Sequence, residues 1–306
     1  MWGSRGFVLS NLDFAWNHPR DGGNWNNALP NGHLDHQALR YAAGAFPQAL
    51  RKVPTFFEEL YGSEVVDEGL MVLEPTTSVY AAVPTGTVQC WAGRITTELT
   101  SSFCRPAFCP ERHIADGRQD LSRYRTLVVP IGPYMPEAVA QRLWQWVDSG
   151  GTLIALEPLA TYDAFGRPRR LGSPFAGLEP GRSAPVGQGR VAVVPLRGTP
   201  DEIAASVRDQ VDEATGRRAA WATDARLELM LRSLPDGRRV LVALNTDARQ
   251  EITGTVHVEG CAGGLADVTV EGGVFVKVAC VDGATEVPAN MAPGEARVFV
   301  LEPPAP

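Results

Sequence analysis

The chain has 306 residues, of which 44% are hydrophobic and 21% charged, and its net charge is −7. This composition is ordinary for a globular protein, and the length allows two domains with buried cores. The acidic balance argues against a surface for nucleic acids or anionic membranes. No run reaches the roughly 18 apolar residues of a spanning helix, and Asn11 and Asp13 interrupt the first apolar stretch, which argues against a signal peptide. We therefore expect a cytoplasmic protein with no nucleic-acid or membrane partner.

The first 62 residues form a separate segment, which we interpret as the tail of a (β/α)8 barrel or as a helical lead-in. Gly6 to Asp13 predicts a strand, and a helical segment follows from about Asp35 to Leu60. The loop between them holds side chains suited to sugar rings and hydroxyls, namely Trp16, Asn17, His18 and Trp25. In a barrel, these residues would bind substrate. The alternative is a solvated connecting loop with both tryptophans anchored in a core.

The next stretch, from Glu64 to about Pro168, predicts strands that alternate with helices. Gly69 to Leu73 predicts the first strand, and Arg112 to Ala115 predicts the second. Between these two strands, apolar residues at helical spacing predict a helix with one buried face: Val88, Trp91, Ala92, Ile95 and Leu99.

Two short apolar runs then predict the centre of a sheet. Thr126 to Val129 and Thr152 to Leu156 have the continuous hydrophobicity of parallel strands that are buried on both faces. The intervening helix has one apolar face, formed by Val139, Leu143, Trp146 and Val147. The Gly150-Gly151 pair ends this helix and turns the chain into the second strand. The unit predicts a flavodoxin-like or amidotransferase-like doubly wound parallel sheet.

This strand-helix-strand unit resembles the β-galactosidase trimerisation domain. That module has a glutamine-amidotransferase-like fold and follows the catalytic barrel in glycoside hydrolase family 42. The resemblance is carried by Tyr124, by Leu127 to Pro130 and by the run Asp148-Ser149-Gly150-Gly151-Thr152-Leu153. The order of elements agrees from about Glu64 to Pro168. The resemblance implies a non-catalytic module that self-associates, with a trimer as the family's assembly.

The carboxyl end of the strand after Gly-Gly is where a working amidotransferase places its nucleophilic cysteine. Here the chain has Leu156-Glu157-Pro158, so the resemblance implies a vacant nucleophile position at Glu157 and no amidotransfer. Glu74 likewise follows an apolar strand and precedes a proline. Two such carboxylates would serve glycoside hydrolysis only at about 5 to 10 Å from each other, and acids at strand ends are more commonly solvated or capping. We predict no catalytic residue in this chain.

Beyond Pro168 the sequence changes character. Arg190 to Leu196 predicts a further strand, and Asp201 to Ala214 predicts a helix that completes the first domain. Short strand-like runs follow at regular spacing: Leu227 to Leu234, Val240 to Asn245, Ile252 to Val258, Ala266 to Val270, Val274 to Ala279 and Ala296 to Leu301. They predict an antiparallel β-sandwich. Its likeness to the C-terminal β-domain of family 42 enzymes depends on Leu241 to Asp247 and Pro293-Gly294-Glu295.

The cysteines and histidines indicate no metal centre. Five cysteines form neither an even disulfide set nor a CxxC pair, so we expect free thiols at Cys90, Cys104, Cys109, Cys261 and Cys280. For Cys104 and Cys109 the expectation is ordinary packing, and the alternative is a paired or metal-binding role. His33 and His36 have a similar alternative at a predicted helix start. We expect neither a metal nor another cofactor.

These observations together predict an α/β plus β chain with domains at residues 1–62, 63–220 and 221–306. The first functional hypothesis is a non-catalytic C-terminal part of a family 42-like β-galactosidase, which serves oligomerisation and shapes an active site carried elsewhere. The second is a free-standing carbohydrate-binding or scaffold protein that uses Trp16, Trp25 and the sandwich face. Trp144 lies away from the apolar face of its helix, so it either mediates self-association or packs under a loop of its own chain.

Overall fold

The computed structural model describes residues 62–82, 91–169, 174–216, 218–247, 249–269 and 273–304. Almost all of the predicted lead-in therefore lies outside the described residues. The same holds for the candidate sugar-binding and metal-binding residues predicted there: Trp16, Asn17, His18, Trp25, His33 and His36. None of the helices in these ranges is both long and apolar enough to cross a membrane.

The described chain contains seventeen strands and five α-helices. The strands are Glu64–Val65 (β1), Leu70–Glu74 (β2), Ala107–Pro110 (β3), Thr126–Val129 (β4), Gly132–Tyr134 (β5), Thr152–Leu156 (β6), Leu159–Tyr162 (β7), Ser183–Val186 (β8), Gly189–Val194 (β9), Ala220–Ala222 (β10), Leu227–Ser233 (β11), Arg239–Asn245 (β12), Ile252–Glu259 (β13), Gly264–Asp267 (β14), Cys280–Val281 (β15), Ala284–Met291 (β16) and Ala296–Glu302 (β17). The helices are Thr76–Ala82 (α1), Trp91–Ser101 (α2), Glu111–Ala115 (α3), Glu137–Asp148 (α4) and Pro200–Thr215 (α5).

A six-stranded sheet forms the centre of the first unit. Its order is β3-β2-β4-β6-β9-β8. The first five of these strands are parallel, and β8 is antiparallel at the edge. The chain moves from β2 to one side for β3 and then to the other side for the later strands, so the strand order reverses between β2 and β4. In such sheets the crevice at the reversal point is where ligands bind.

Helices cover both faces of this sheet. On one face, α2 and α5 pack against side chains such as Val72 and Val128. On the other face, α3 and α4 pack against Leu127 and Leu153. Strand β4 is buried along its whole length, as its continuous apolar sequence predicts. The predicted parallel sheet with helices on both faces is therefore confirmed, and the class of the chain is α/β followed by β.

The turn from α4 into β6 depends on close packing at glycine. Gly151 lies directly under the ring of Trp146, and a Cβ atom added at Gly151 would be 2.3 Å from a ring carbon. Gly189, at the start of β9, approaches the same turn, and an added Cβ there would be 2.2 Å from the carbonyl oxygens of Val147 and Gly151. Only glycine fits at these positions without a shift of the backbone or of a buried indole.

The second unit is an antiparallel sandwich. One sheet has the order β1-β11-β12-β17-β14, and the other has the order β10-β13-β16-β15. The inner faces of the two sheets meet in one core, which includes Leu231, Leu241 and Phe299 from the first sheet and Val256 and Met291 from the second. This arrangement confirms the predicted sandwich, with alternate residues of each strand turned inward.

The first strand among the described residues, β1, belongs to this C-terminal sandwich. Glu64 pairs with Ser233 across the β1–β11 ladder. Beside it, the buried guanidinium of Arg232 donates to the hydroxyl and carbonyl oxygens of Ser63, at 2.7 and 2.5 Å. Along the chain, strands of the sandwich therefore both precede and follow the α/β unit.

The predictions of strands at Arg112 to Ala115 and at Val274 to Ala279 are wrong. Arg112 to Ala115 lies entirely in the helix α3, and the second parallel strand is Ala107–Pro110. Val274 to Ala279 forms no strand and contributes one isolated bridge, between Leu265 and Val276. Its consecutive apolar residues Val274, Phe275 and Val276 are exposed, so burial does not hold this segment as a strand.

A strand that the sequence did not predict, Ala284–Met291, completes the second sheet. Pro288 interrupts its apolar pattern. The proline is tolerated because it lies beyond the short pairing with β15, where one side of the strand is open.

The expectation of free thiols is wrong for two cysteines. Cys261 and Cys280 form a disulfide, with Cα atoms 5.3 Å apart. The hydroxyl of Thr285 accepts from the amide of Ala262 and donates to the carbonyl of Gly260, so it holds the Cys261 segment beside β15. The spacing of the cysteines in the sequence does not predict that Cys261 and Cys280 lie close together, because strand pairing brings them there. Disulfides persist mainly in oxidising compartments, so the bond disfavours the cytoplasmic expectation, which stays a prediction.

We predict that Gly151→Ala destabilises the fold by about 1 to 3 kcal/mol, because the added methyl group overlaps the buried ring of Trp146. The measurement is urea unfolding followed by far-UV circular dichroism. Gly62→Ala is the matched control, since its Cβ would make only an ordinary 3.6 Å contact with Leu234. Equal stabilities of the two variants would contradict the close packing at the turn.

Candidate functional site at the carboxyl edge of the parallel sheet

The carboxyl ends of the five parallel strands lie along one edge of the sheet. Because backbone and side-chain groups converge there, this edge is the usual ligand-binding position of open α/β sheets. Three acidic residues follow these strands: Glu74 ends β2, Glu111 follows β3, and Glu157 follows β6. We therefore describe this carboxyl edge as the candidate functional site.

At the reversal point of the sheet, α1 is tied to the segment that follows β4. The hydroxyl of Ser78 donates to the carbonyl of Tyr134 at 2.6 Å and accepts from its amide at 3.1 Å. The ring of Tyr134 stacks on Tyr162, with centroids 5.1 Å apart. The Ser78 hydroxyl at the reversal point is thus engaged with the protein's own backbone.

Glu111 is a buried carboxyl group at this edge. Only 3% of the residue is exposed, and one carboxyl oxygen accepts from the amide of Thr77 at 2.9 Å. The other oxygen has no hydrogen-bond partner among the described residues. Burial raises the pKa of Glu111, and the hydrogen bonds from Thr77 offset part of this rise. Sequence analysis missed this residue, because a single glutamate after a short edge strand gives no sign of burial.

Glu157, at the predicted vacant nucleophile position, has a structural contact. Its carboxylate accepts from the amide of Leu196 at 2.7 Å, which joins the loops after β6 and β9. The Glu157-Pro158 peptide bond is cis, and the chain continues into the strand β7. A nucleophile elbow requires a sharp strand-to-helix turn, so the backbone here has a different form.

Glu74 and Glu157 are not adjacent. Their strands are separated by β4, which places the strand ends about 10 Å apart at roughly 4.8 Å per strand. Glu74 is exposed, and Glu157 is held by Leu196. Their separation is at the upper limit for paired glycosidase carboxylates, and nothing in the described contacts directs the two side chains toward a common point.

A small cavity of about 300 Å³ lies beside Glu157. It is bordered by Phe175 and by Arg169, whose guanidinium is committed to Glu137 and to the carbonyl of Met135. Phe175 makes an edge-to-face contact with Trp144, with ring centroids 5.5 Å apart. Of the two alternatives for Trp144, the structure therefore shows packing under a loop of its own chain.

The two remaining described thiols are buried on opposite faces of the sheet. Cys104 packs in the core beneath α2 and α5, and Cys109 packs in the core beneath α4. Burial raises the pKa of Cys104 to about 12 and that of Cys109 to about 11. Their separation excludes a shared metal, and the described residues contain no cluster of three potential metal ligands.

Comparisons with known proteins connect this fold to glycoside hydrolases. No known family pattern and no curated protein sequence matches the chain. A structure of a family 42 β-galactosidase from G. stearothermophilus aligns with a TM-score of 0.60 and 13% identity, over 87% of this chain and 44% of that one. The β-galactosidase from Bacillus circulans sp. alkalophilus aligns at 0.60 and 12%, over 87% and 45%.

The chain has the fold of part of a family 42 β-galactosidase. The family resemblance inferred from the sequence is therefore confirmed at the level of fold. A family 42 exo-carrageenase from Bacteroides ovatus aligns at a TM-score of 0.53 and 15% identity, over 87% of this chain and 33% of that one. The present chain thus spans 33% to 45% of the length of these enzymes.

We predict that Glu111→Gln stabilises the protein, and that the gain is larger at pH 7.5 than at pH 4. The raised pKa favours the protonated carboxyl in the folded state. The stability that this group contributes is therefore present below its unfolded pKa of about 4.3 and is lost as the pH rises through the folded value. Glutamine stays neutral and still accepts from Thr77.

The measurement is urea unfolding of wild type and variant at both pH values. Glu74→Gln is the matched control, because Glu74 ends the neighbouring strand β2 and is exposed; it should give no such pH-dependent gain. A Glu111→Gln effect that is the same at both pH values would show that the buried carboxyl does not lose its proton in this range.

Proposed function

We propose that this chain is a non-catalytic part of a family 42-like β-galactosidase, which serves oligomerisation and shapes an active site carried elsewhere. The proposal extends to the arrangement of the α/β unit, which we interpret as flavodoxin-like and equivalent to the trimerisation module of the family. The main support is the fold shared with family 42 enzymes over most of this chain and under half of theirs.

The contacts at the carboxyl edge support a non-catalytic role for the chain. The buried Glu111 faces no basic partner in the described contacts, and Glu157 caps a neighbouring loop. The Ser78 hydroxyl is engaged with the backbone of Tyr134. A hydrolytic site requires an acid and a second carboxylate directed at one substrate bond, and the described residues of this edge do not form that arrangement.

The same edge carries exposed apolar side chains, which support self-association. Tyr80 on α1 is 74% exposed, and Phe165, in the loop after β7, is 82% exposed. Leu196, which follows β9, is also exposed. Tyr80 and Leu196 follow β2 and β9 of the parallel sheet by a few positions, and Phe165 follows β7 of the small two-stranded sheet. Exposed apolar residues on one edge are typical of protein interfaces, and these three replace Trp144 as the candidate contact residues.

We predict that the purified chain does not hydrolyse nitrophenyl β-galactoside, and that Glu157→Gln leaves this result unchanged. Glutamine keeps an acceptor for the amide of Leu196, so the fold should persist. The measurement is nitrophenol release over hours at micromolar protein, with a complete family 42 β-galactosidase as the positive control. Turnover that Glu157→Gln abolishes would contradict the proposal and make Glu157 a catalytic acid.

We predict that the chain associates at micromolar concentration, as a trimer if it retains the family's assembly, and that Tyr80→Glu with Phe165→Glu shifts it toward the monomer. A charge at the centre of an apolar contact is costly to desolvate. Sedimentation velocity measures the shift. Val274→Glu is the matched control, because Val274 is equally exposed but lies on the sandwich. A monomeric wild type, or dissociation by Val274→Glu alone, would contradict an interface at the carboxyl edge.

A further inference from the structure

A second open site lies at the opposite edge of the parallel sheet. A groove of about 730 Å³ runs between the C-terminal end of α4 and the segment that enters β4. We call it the amino-edge groove. Tyr124 and Arg125 precede β4 on one wall, and Arg142, Gln145 and Ser149 form the other wall. The volume is within the usual range for small-ligand sites, about 300 to 1,000 Å³.

The spacing of the polar residues along α4 places their side chains on one side of the helix. Arg142, Gln145 and Ser149 are three and four residues apart, so they lie on the same helix face. Arg142 also approaches Gly117, where an added Cβ would be 3.0 Å from its guanidinium. The glycine leaves room for the arginine beside the groove.

Three side chains in the groove have no hydrogen-bond or ion-pair partner among the described contacts. They are Arg125, Arg142 and Gln145. Most arginines in the described chain are committed, for example Arg190 to Glu213 and Arg208 to Glu98. Two uncommitted guanidiniums on one concave surface are unexpected in a chain with a net charge of −7. Each retains its full set of N–H donors for a ligand.

The lining of the groove carries two arginines and one acidic residue, so its formal charge is positive. Asp120 is the acidic residue in its lining, and its carboxylate accepts from the amide and hydroxyl of Ser122. The carbonyls at the C-terminal end of α4 are also occupied. Trp146 and Val147 accept from the amides of the glycine turn, and Asp148 accepts from Gln188. The uncommitted groups at the groove are therefore mostly donors.

The aromatic residues limit the class of ligand. Trp146 is buried, and its indole N–H donates to the carbonyl of Tyr124 at 3.3 Å. Its face is covered by Gly151, so the indole offers no open ring for a nucleobase to stack on. An amide, a hydroxyl and two guanidiniums instead suit a chain of hydroxyl groups that carries an anionic substituent.

We propose that the amino-edge groove binds an acidic oligosaccharide, with Arg125 and Arg142 on a sulfate ester or carboxylate and Gln145 on neighbouring hydroxyls. The anion preference follows from the uncommitted arginines. The choice of a saccharide rests on the proposed function. The site is on the edge opposite to the candidate association surface, so it stays open when that surface is covered.

The test is calorimetric titration of the full chain with a sulfated galactan tetrasaccharide, with the unsulfated tetrasaccharide and with inorganic sulfate. We expect saturable binding of the sulfated sugar, at least ten-fold weaker binding of the other two, and weakening by added salt. Arg125→Gln and Arg142→Gln should each weaken binding about ten-fold. Arg249→Gln, which removes an exposed charge on the sandwich, should leave binding unchanged.

Equal binding of the sulfated and neutral sugars would overturn the role of the arginines. If inorganic sulfate binds as tightly as the sulfated sugar, the assignment of a saccharide as the ligand is overturned. Unchanged binding in an Arg125→Gln and Arg142→Gln double variant with the wild-type thermal midpoint would overturn the site, as would the absence of binding. Sedimentation of the same samples separates the two proposals, because a monomer that binds the sulfated sugar would contradict oligomerisation and leave the groove intact.

Discussion

The α/β unit depends on burying both faces of its central parallel strands. Strand β4 has no exposed residue, and a sheet buried on both faces requires helices on both sides. That requirement fixes where functional groups can lie, because helices cover the faces of the sheet and only the carboxyl and amino ends of the strands remain open. At one edge the chain turns tightly through Gly150 and Gly151. At the other edge the loops are longer and carry Glu111, Glu157 and the exposed aromatic residues.

The two edges differ in how their polar groups are satisfied. At the carboxyl edge, the side chains of Ser78 and Glu157 hold neighbouring backbone amides, so their hydrogen-bonding capacity serves the protein itself. At the amino edge, Arg125 and Arg142 have no such commitments among the described contacts. Side chains at the carboxyl edge, where this class of fold usually carries its chemistry, thus hold the protein's own backbone, and the amino edge holds the free donors.

The sequence predicts the parts of the fold in which burial leaves a continuous or periodic pattern. The bounds of β4 and β6 agree with their apolar runs, and the buried face of α4 agrees with its helical spacing. The sequence does not predict two edge segments correctly, because Ala107–Pro110 is too short for a pattern and the apolar run at Val274 is exposed. The Cys261–Cys280 bond and the burial of Glu111 depend on contacts between distant elements, so a local pattern contains no signal for either. The sugar-binding interpretation of Trp16 and its neighbours stays a prediction.

The position of β1 has a consequence for the order of folding. Ser63 and Arg232, which bond beside the β1–β11 ladder, are 169 residues apart. A contact of such high sequence separation closes a long loop, and its entropic cost falls on the folding rate. During synthesis the α/β unit emerges complete before β11 exists, since chains emerge from the N-terminus. The sandwich can therefore close only after the whole α/β unit has emerged, and a fragment that ends after the α/β unit would expose β1 as an unpaired strand.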